Sequence, residues 1–148
     1  MNKKAENFQA YLDKAKLKDF TREEIAKDPV DTVVFRSHLA LEEARIPVIL
    51  ILDKSVYGII RLLVTPKAQK KENEADLLKL INQYNRQYKA FKYYLDDAGN
   101  LVLDVSVLLP DDKVDGGLVY GLFQSLDQHF ERSISQVHEI DFGSKRIL

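Results

Sequence analysis

The 148-residue chain has no cysteine and no tryptophan, a single methionine, four prolines and six glycines. Without cysteine it can form no disulfide, run no thiol chemistry and build no thiolate-ligated zinc site. No run approaches the ~20 apolar residues of a membrane span. The longest, Ile46 to Leu52, has the length of a strand. The N-terminal stretch carries lysines but no apolar block, unlike a secretory signal, so the cytoplasm is the expected compartment.

Catalytic signatures are missing as well. There is no H-E-x-x-H, no Walker sequence, no G-x-S-x-G and no G-x-G-x-x-G. Of the three histidines, His38, His129 and His138, none stands at metal-ligand spacing from another. His129 and His138 read as surface residues on the polar flank of the last helix. Gly116-Gly117 lacks the Lys-Ser/Thr of a phosphate loop and reads as a helix start with close packing. The expectation is a protein that is not an enzyme, with no cofactor and no metal.

Against these absences stand 45% hydrophobic and 30% charged residues, the make-up of a soluble globular protein and enough for one domain over residues 1–148. Charge is nearly balanced, with 22 basic and 23 acidic residues, but it is unevenly spread. Residues 66–92 hold seven basic and three acidic residues, and residues 93–141 hold ten acidic and two basic. A strongest local field of negative sign fits poorly with gripping a phosphate backbone, so no nucleic-acid partner is expected, and no membrane partner either.

Hydrophobic spacing sets out the elements. Phe8, Tyr11, Leu12 and Ala15 recur at helical intervals. Thr21-Arg-Glu-Glu24 has the form of a capping box opening a short helical turn before Pro29. From Val30 to Thr65 the period falls to two. Val33, Phe35, Leu39 and Leu41 share one strand face, and Arg36, His38 and Glu42 share the other. Charged reversals at 42–45 and 53–55 make three strands an antiparallel meander. Residues 71–87 form a helix with Leu77, Leu78, Leu80, Ile81 and Tyr84 on its apolar stripe. A hairpin follows, turning at Asp96–Asn100 with Gly99 available for a positive φ. A long amphipathic helix over about 114–140 carries Leu118, Val119, Leu122, Phe123, Leu126, Phe130, Ile134 and Val137. The expected fold is α+β, order αβββαββα: a five-stranded antiparallel sheet with helices packed on one face.

Asp104 is the anomaly, an aspartate inside Leu-Val-Leu-Asp-Val-Ser-Val. Alternation puts it on the sheet face away from the helices, and Arg36, His38, Arg61 and Lys92 fall on the same face of their own strands. The bland reading is a solvated face with weak cross-strand ion pairs. The functional reading makes Arg36, His38, Arg61 and Asp104 a partner-binding surface.

The stretch from Leu77 to Phe130 resembles the YbjN-like family of small bacterial proteins described as sensory-transduction regulators. The likeness rests on INQYNRQYKAFKYYLDDAGNLVLDVSVLLP and the aliphatic helix LVYGLFQSLDQHFE, with Asn82, Asn85, Phe91, the Asp96–Asn100 turn and Leu101–Leu109 matching. The family is similar in fold to type III secretion chaperones, which are small, often acidic and dimeric, and bind an extended segment of a client. The resemblance therefore implies a chaperone-like, homodimeric protein-binding or regulatory module, and it supplies no catalytic residues. The competing expectation is a small-molecule-binding or enzymatic domain using the mixed polar sheet face. A deep pocket over Arg36, His38, Arg61 and Asp104 would favour it.

Overall fold

The structure, a computed structural model, describes residues 2–42 and 44–138, with residues 132–138 described by their backbone alone. The chain runs through α1 (Lys3–Lys14), β1 (Thr21–Glu24), β2 (Val33–Ala40), β3 (Arg45–Leu52) and β4 (Tyr57–Thr65). It continues as α2 (Glu74–Gln87), β5 (Lys92–Leu95), β6 (Leu101–Leu108), a 3-10 turn at Pro110–Asp112 and α3 (Gly116–His138). The strands form one antiparallel sheet in the order β1-β2-β3-β4-β6-β5.

The α+β architecture matches expectation, but the sheet has six strands instead of five and the element order is αββββαββα. The extra strand is Thr21–Glu24, expected as a capped helical turn. It pairs instead with β2, Thr21 opposite Arg36 and Glu24 opposite Val33. Four residues without an apolar side chain can bury nothing as a helix. As an edge strand they satisfy the β2 backbone, and Arg22 lies over the Phe35 ring and pairs with Glu6 of α1. The intervening loop is tied by Asp28, whose carboxylate accepts from the Thr32 N–H at 2.8 Å.

Alternation decides which side of the sheet meets the helices. Val33, Phe35 and Leu39 of β2, Ile46, Val48, Leu50 and Leu52 of β3, and Ile60, Leu62 and Val64 of β4 are buried. So are Tyr93 of β5 and Leu101, Leu103, Val105 and Val107 of β6. They form one cluster with Phe8 and Leu12 of α1, Leu77, Ile81 and Tyr84 of α2, and Val119, Phe123, Leu126 and Phe130 of α3. At ~2 kcal/mol for each large side chain buried, this cluster is the main source of stability. Leu78 and Leu118, expected on the apolar stripes of α2 and α3, are exposed instead, since each points away from the sheet. Backbone geometry gives α3 as one helix to His138; its expected continuation to residue 140, and the side chains of Ile134, Val137 and His138, lie outside what is described.

Two polar anchors seat α1. The Asn2 side chain accepts from the Ala5 N–H and donates to the carbonyls of Asp31 and Leu52. Lys4 is buried, its ammonium donating to the carbonyls of Asp53 (2.8 Å) and Ser55 in the β3–β4 turn. At the other end of the contact the Tyr11 ring rests on Gly116, where an added Cβ would lie 2.1 Å from Tyr11 Cγ. The close packing expected of this glycine is what makes α1 and α3 meet.

Candidate functional site

The three helices of the described residues pack on one side, and among those residues nothing covers the second face of the sheet. Across its middle runs a single cross-strand row: Thr21, Arg36, Ile49, Arg61, Asp104 and Lys92. Beside it Val34, Ile51, Ile59 and Ser106 form a second row. Tyr57 and Leu108 stand opposite one another at the end of β4 and β6, both largely exposed.

Three of the four sequence candidates therefore share one row, but only two of them meet. Arg61 grips Asp104 with two parallel bonds, Nε to Oδ1 at 2.8 Å and Nη2 to Oδ2 at 3.0 Å. Tyr94 closes over the pair, its hydroxyl donating to Asp104 Oδ2 at 3.1 Å. Asp104 is only 4% exposed, so the wet aspartate expected from the alternation is in fact a buried one. The Arg61 fork and the Tyr94 ring exclude water from it and satisfy its oxygens. The Asp104 carboxylate raises the Arg61 guanidinium above its ordinary value, chiefly through this hydrogen bond. Burial first, and then the Asp104 charge, raise the Tyr94 hydroxyl. Lys92, opposite Asp104, places its ammonium over the Tyr94 ring.

Arg36 is separated from this pair by Ile49 and engages Glu23 of β1 at 2.9 Å. His38 lies further along β2, at the rim of a cleft of about 520 Å³ between the end of β2, the segment leading into β1, and α3. The four candidates do not converge on one concavity.

Alternation could not point to a second polar assembly on the helix side. His129, read as a surface residue, is 5% exposed and ringed by Tyr84, Tyr88, Phe91, Tyr93 and Phe130. Its Nε2 meets the Tyr93 hydroxyl at 2.5 Å. Burial lowers the imidazole to about 4 and raises the Tyr93 phenol well above its usual value. Rings from α2, β5 and the segment between them, far upstream, surround it, and among the described residues its own helix adds Phe130. Asn85 was expected only as part of a pattern. It accepts from the Tyr93 N–H at 2.8 Å and donates to the Tyr93 carbonyl at 3.1 Å, closing the outer edge of β5.

Among the described residues, no group of histidines and carboxylates could hold a metal ion, and no helix is long and apolar enough to cross a membrane. The class is therefore an α+β protein with three helices on one face of an antiparallel sheet and an open face opposite. A family model matches residues 38–139, roughly two-thirds of the chain. The chain belongs to the YbjN family, whose description reads "Putative bacterial sensory transduction regulator". That description names a regulator, not an enzyme. No curated protein matches the chain in sequence.

Proposed function

We propose that this chain is a non-enzymatic regulatory module that acts by binding a protein partner, chaperone-like and as a dimer, in the cytoplasm. The observation that carries the reading is the open sheet face. Its centre is an ion pair whose charges satisfy each other, and its surroundings are Ile49, Ile51, Ile59, Leu63 and the exposed Tyr57–Leu108 pair. A neutralised polar centre within apolar side chains is the composition of a protein interface. Regulator membership and the helix, meander, helix, hairpin, helix order support the same reading. The competing small-molecule reading gains little: Arg61 and Asp104 are spent on one another, Arg36 pairs with Glu23, and His38 lies apart from all three at the cleft.

The test replaces Tyr57 and Leu108 by aspartate together, since both side chains are exposed and the core is untouched. Light scattering should give a dimer for the parent chain and a monomer for the variant. A protein captured stoichiometrically by the parent should be lost with it. A parent that is monomeric and captures nothing at any salt concentration would sink the reading.

A further inference from the structure

On its outer side β2 is paired with β1 only from Val33 to Arg36. Upstream of Thr21 the chain leaves the sheet, and Phe20 turns inward onto Phe8 and Phe123. Ser37, His38, Leu39 and Ala40 are paired inward with β3 and have no ladder partner outward among the described residues. Such a backbone edge is a template for another strand. Its counterpart at β5 is blocked by Asn85, whereas this one is open.

The open edge is also one wall of the 520 Å³ cleft, whose other walls include Phe20, Tyr120, Phe123 and Asp127. That volume lies within the ~300–1,000 Å³ range of ligand pockets. Lys18, Asp19 and Arg45 also line the cleft, but all three are exposed to water, which screens them, so the partly buried carboxylate of Asp127 supplies the chemical selection. Its Oδ1 is buried with no hydrogen-bond partner among the described residues. Burial, and then the charge of Glu131 one turn on, raise its carboxyl above the ordinary value. A cation arriving from outside would relieve both effects, and an anion would add to them.

We propose that the β2 edge at Ser37–Ala40 binds an extended segment of a partner protein as an added strand, with a lysine or arginine of that segment seated on Asp127. Backbone pairing supplies general affinity. The aromatic wall takes an apolar side chain, and Asp127 sets the charge preference. This rests on the partner-binding reading and gives it a second surface, separate from the open face.

The experiment selects binders from a random library of twelve-residue displayed peptides on the full chain. Enriched peptides should carry Lys or Arg next to alternating apolar residues, and should shift the amide resonances of Ser37–Ala40 and Phe123. Asp127→Asn should weaken them by roughly ten- to a hundredfold, the range of a charge-assisted bond. N-methylating alternate peptide amides should abolish binding in one phase and spare it in the other, a readout that leaves the protein untouched. Peptides indifferent to Asp127→Asn that shift Ile59 and Leu108 would overturn the edge site while leaving partner binding intact. Hexylamine binding as tightly as the peptides would overturn it in favour of a small cation. No enrichment at all would also overturn it, and partner binding would then stand or fall on the Tyr57/Leu108 variant.

Discussion

Asp104 and His129 are both buried polar residues, and the protein handles them differently. Asp104 is matched by partners, Arg61 and Tyr94 occupying its oxygens. Removing either partner would strand the other, which is why such pairs are costly to break yet weak as net stabilisers. His129 instead gives up its charge. Its imidazole falls to about 4 in the fold, from an ordinary value near 6.5, because burial disfavours the cation. The folded state thus binds fewer protons than the unfolded chain across that interval. His129's contribution is complete above about pH 6.5 and is lost progressively as pH falls towards 4, on the order of 3 kcal/mol in all. Urea midpoints measured from pH 7.5 to 4.5 should fall, and His129→Phe, which keeps a ring in the aromatic cage, should flatten that part of the curve. An unchanged slope in the variant would show that other groups govern it.

Elements meet here through small residues as well as large ones. Gly116 opens α3 beneath the Tyr11 ring, and a Cβ there has no room, while at Gly117 the nearest atom is Asp115 Oδ1 at 3.4 Å. Helix propensity alone favours alanine at both positions by up to ~1 kcal/mol. Gly116→Ala should nevertheless cost about 1–3 kcal/mol, because α1 must shift, whereas Gly117→Ala should be neutral or slightly stabilising. Denaturant melts of the two variants check this directly, and Tyr11→Ala should relieve the first and not affect the second. Much of this architecture was legible in the sequence: the two-residue period from Val33 to Val64, the Gly99 turn, and the face shared by Arg61 and Asp104. What escaped was what pairing decides. Thr21–Glu24 carries the same local signal for a cap as for an edge strand, and only β2 settles it. Tyr94 reaches Asp104 because Lys92 stands in register with it, and nothing local to residues 91–95 announces that. Counting His129 as polar placed it on the wrong side of α3, since the rings that bury it come mostly from other elements.

The whole molecule closes around contacts distant in sequence. The family match begins at His38, yet the core needs what precedes it: Phe8 and Leu12 of α1, and Val33 and Phe35 of β2. Four such side chains represent ~8 kcal/mol at ~2 kcal/mol each, comparable to the ~5–15 kcal/mol total stability of a domain. A chain trimmed to residues 38–148 should accordingly lose its cooperative unfolding transition and bind the dye ANS. A sharp transition near the full-length midpoint would show that the first 37 residues are dispensable. The seat of Tyr11 on Gly116 also carries a consequence in time. The ribosome makes α1 about a hundred residues before α3. At roughly 5–20 residues per second, Phe8 and Leu12 wait on the order of five to twenty seconds with part of their covering not yet made. An early helix is closed over by a late one, so the newborn chain shows an apolar stripe to the cell's own chaperones until α3 emerges.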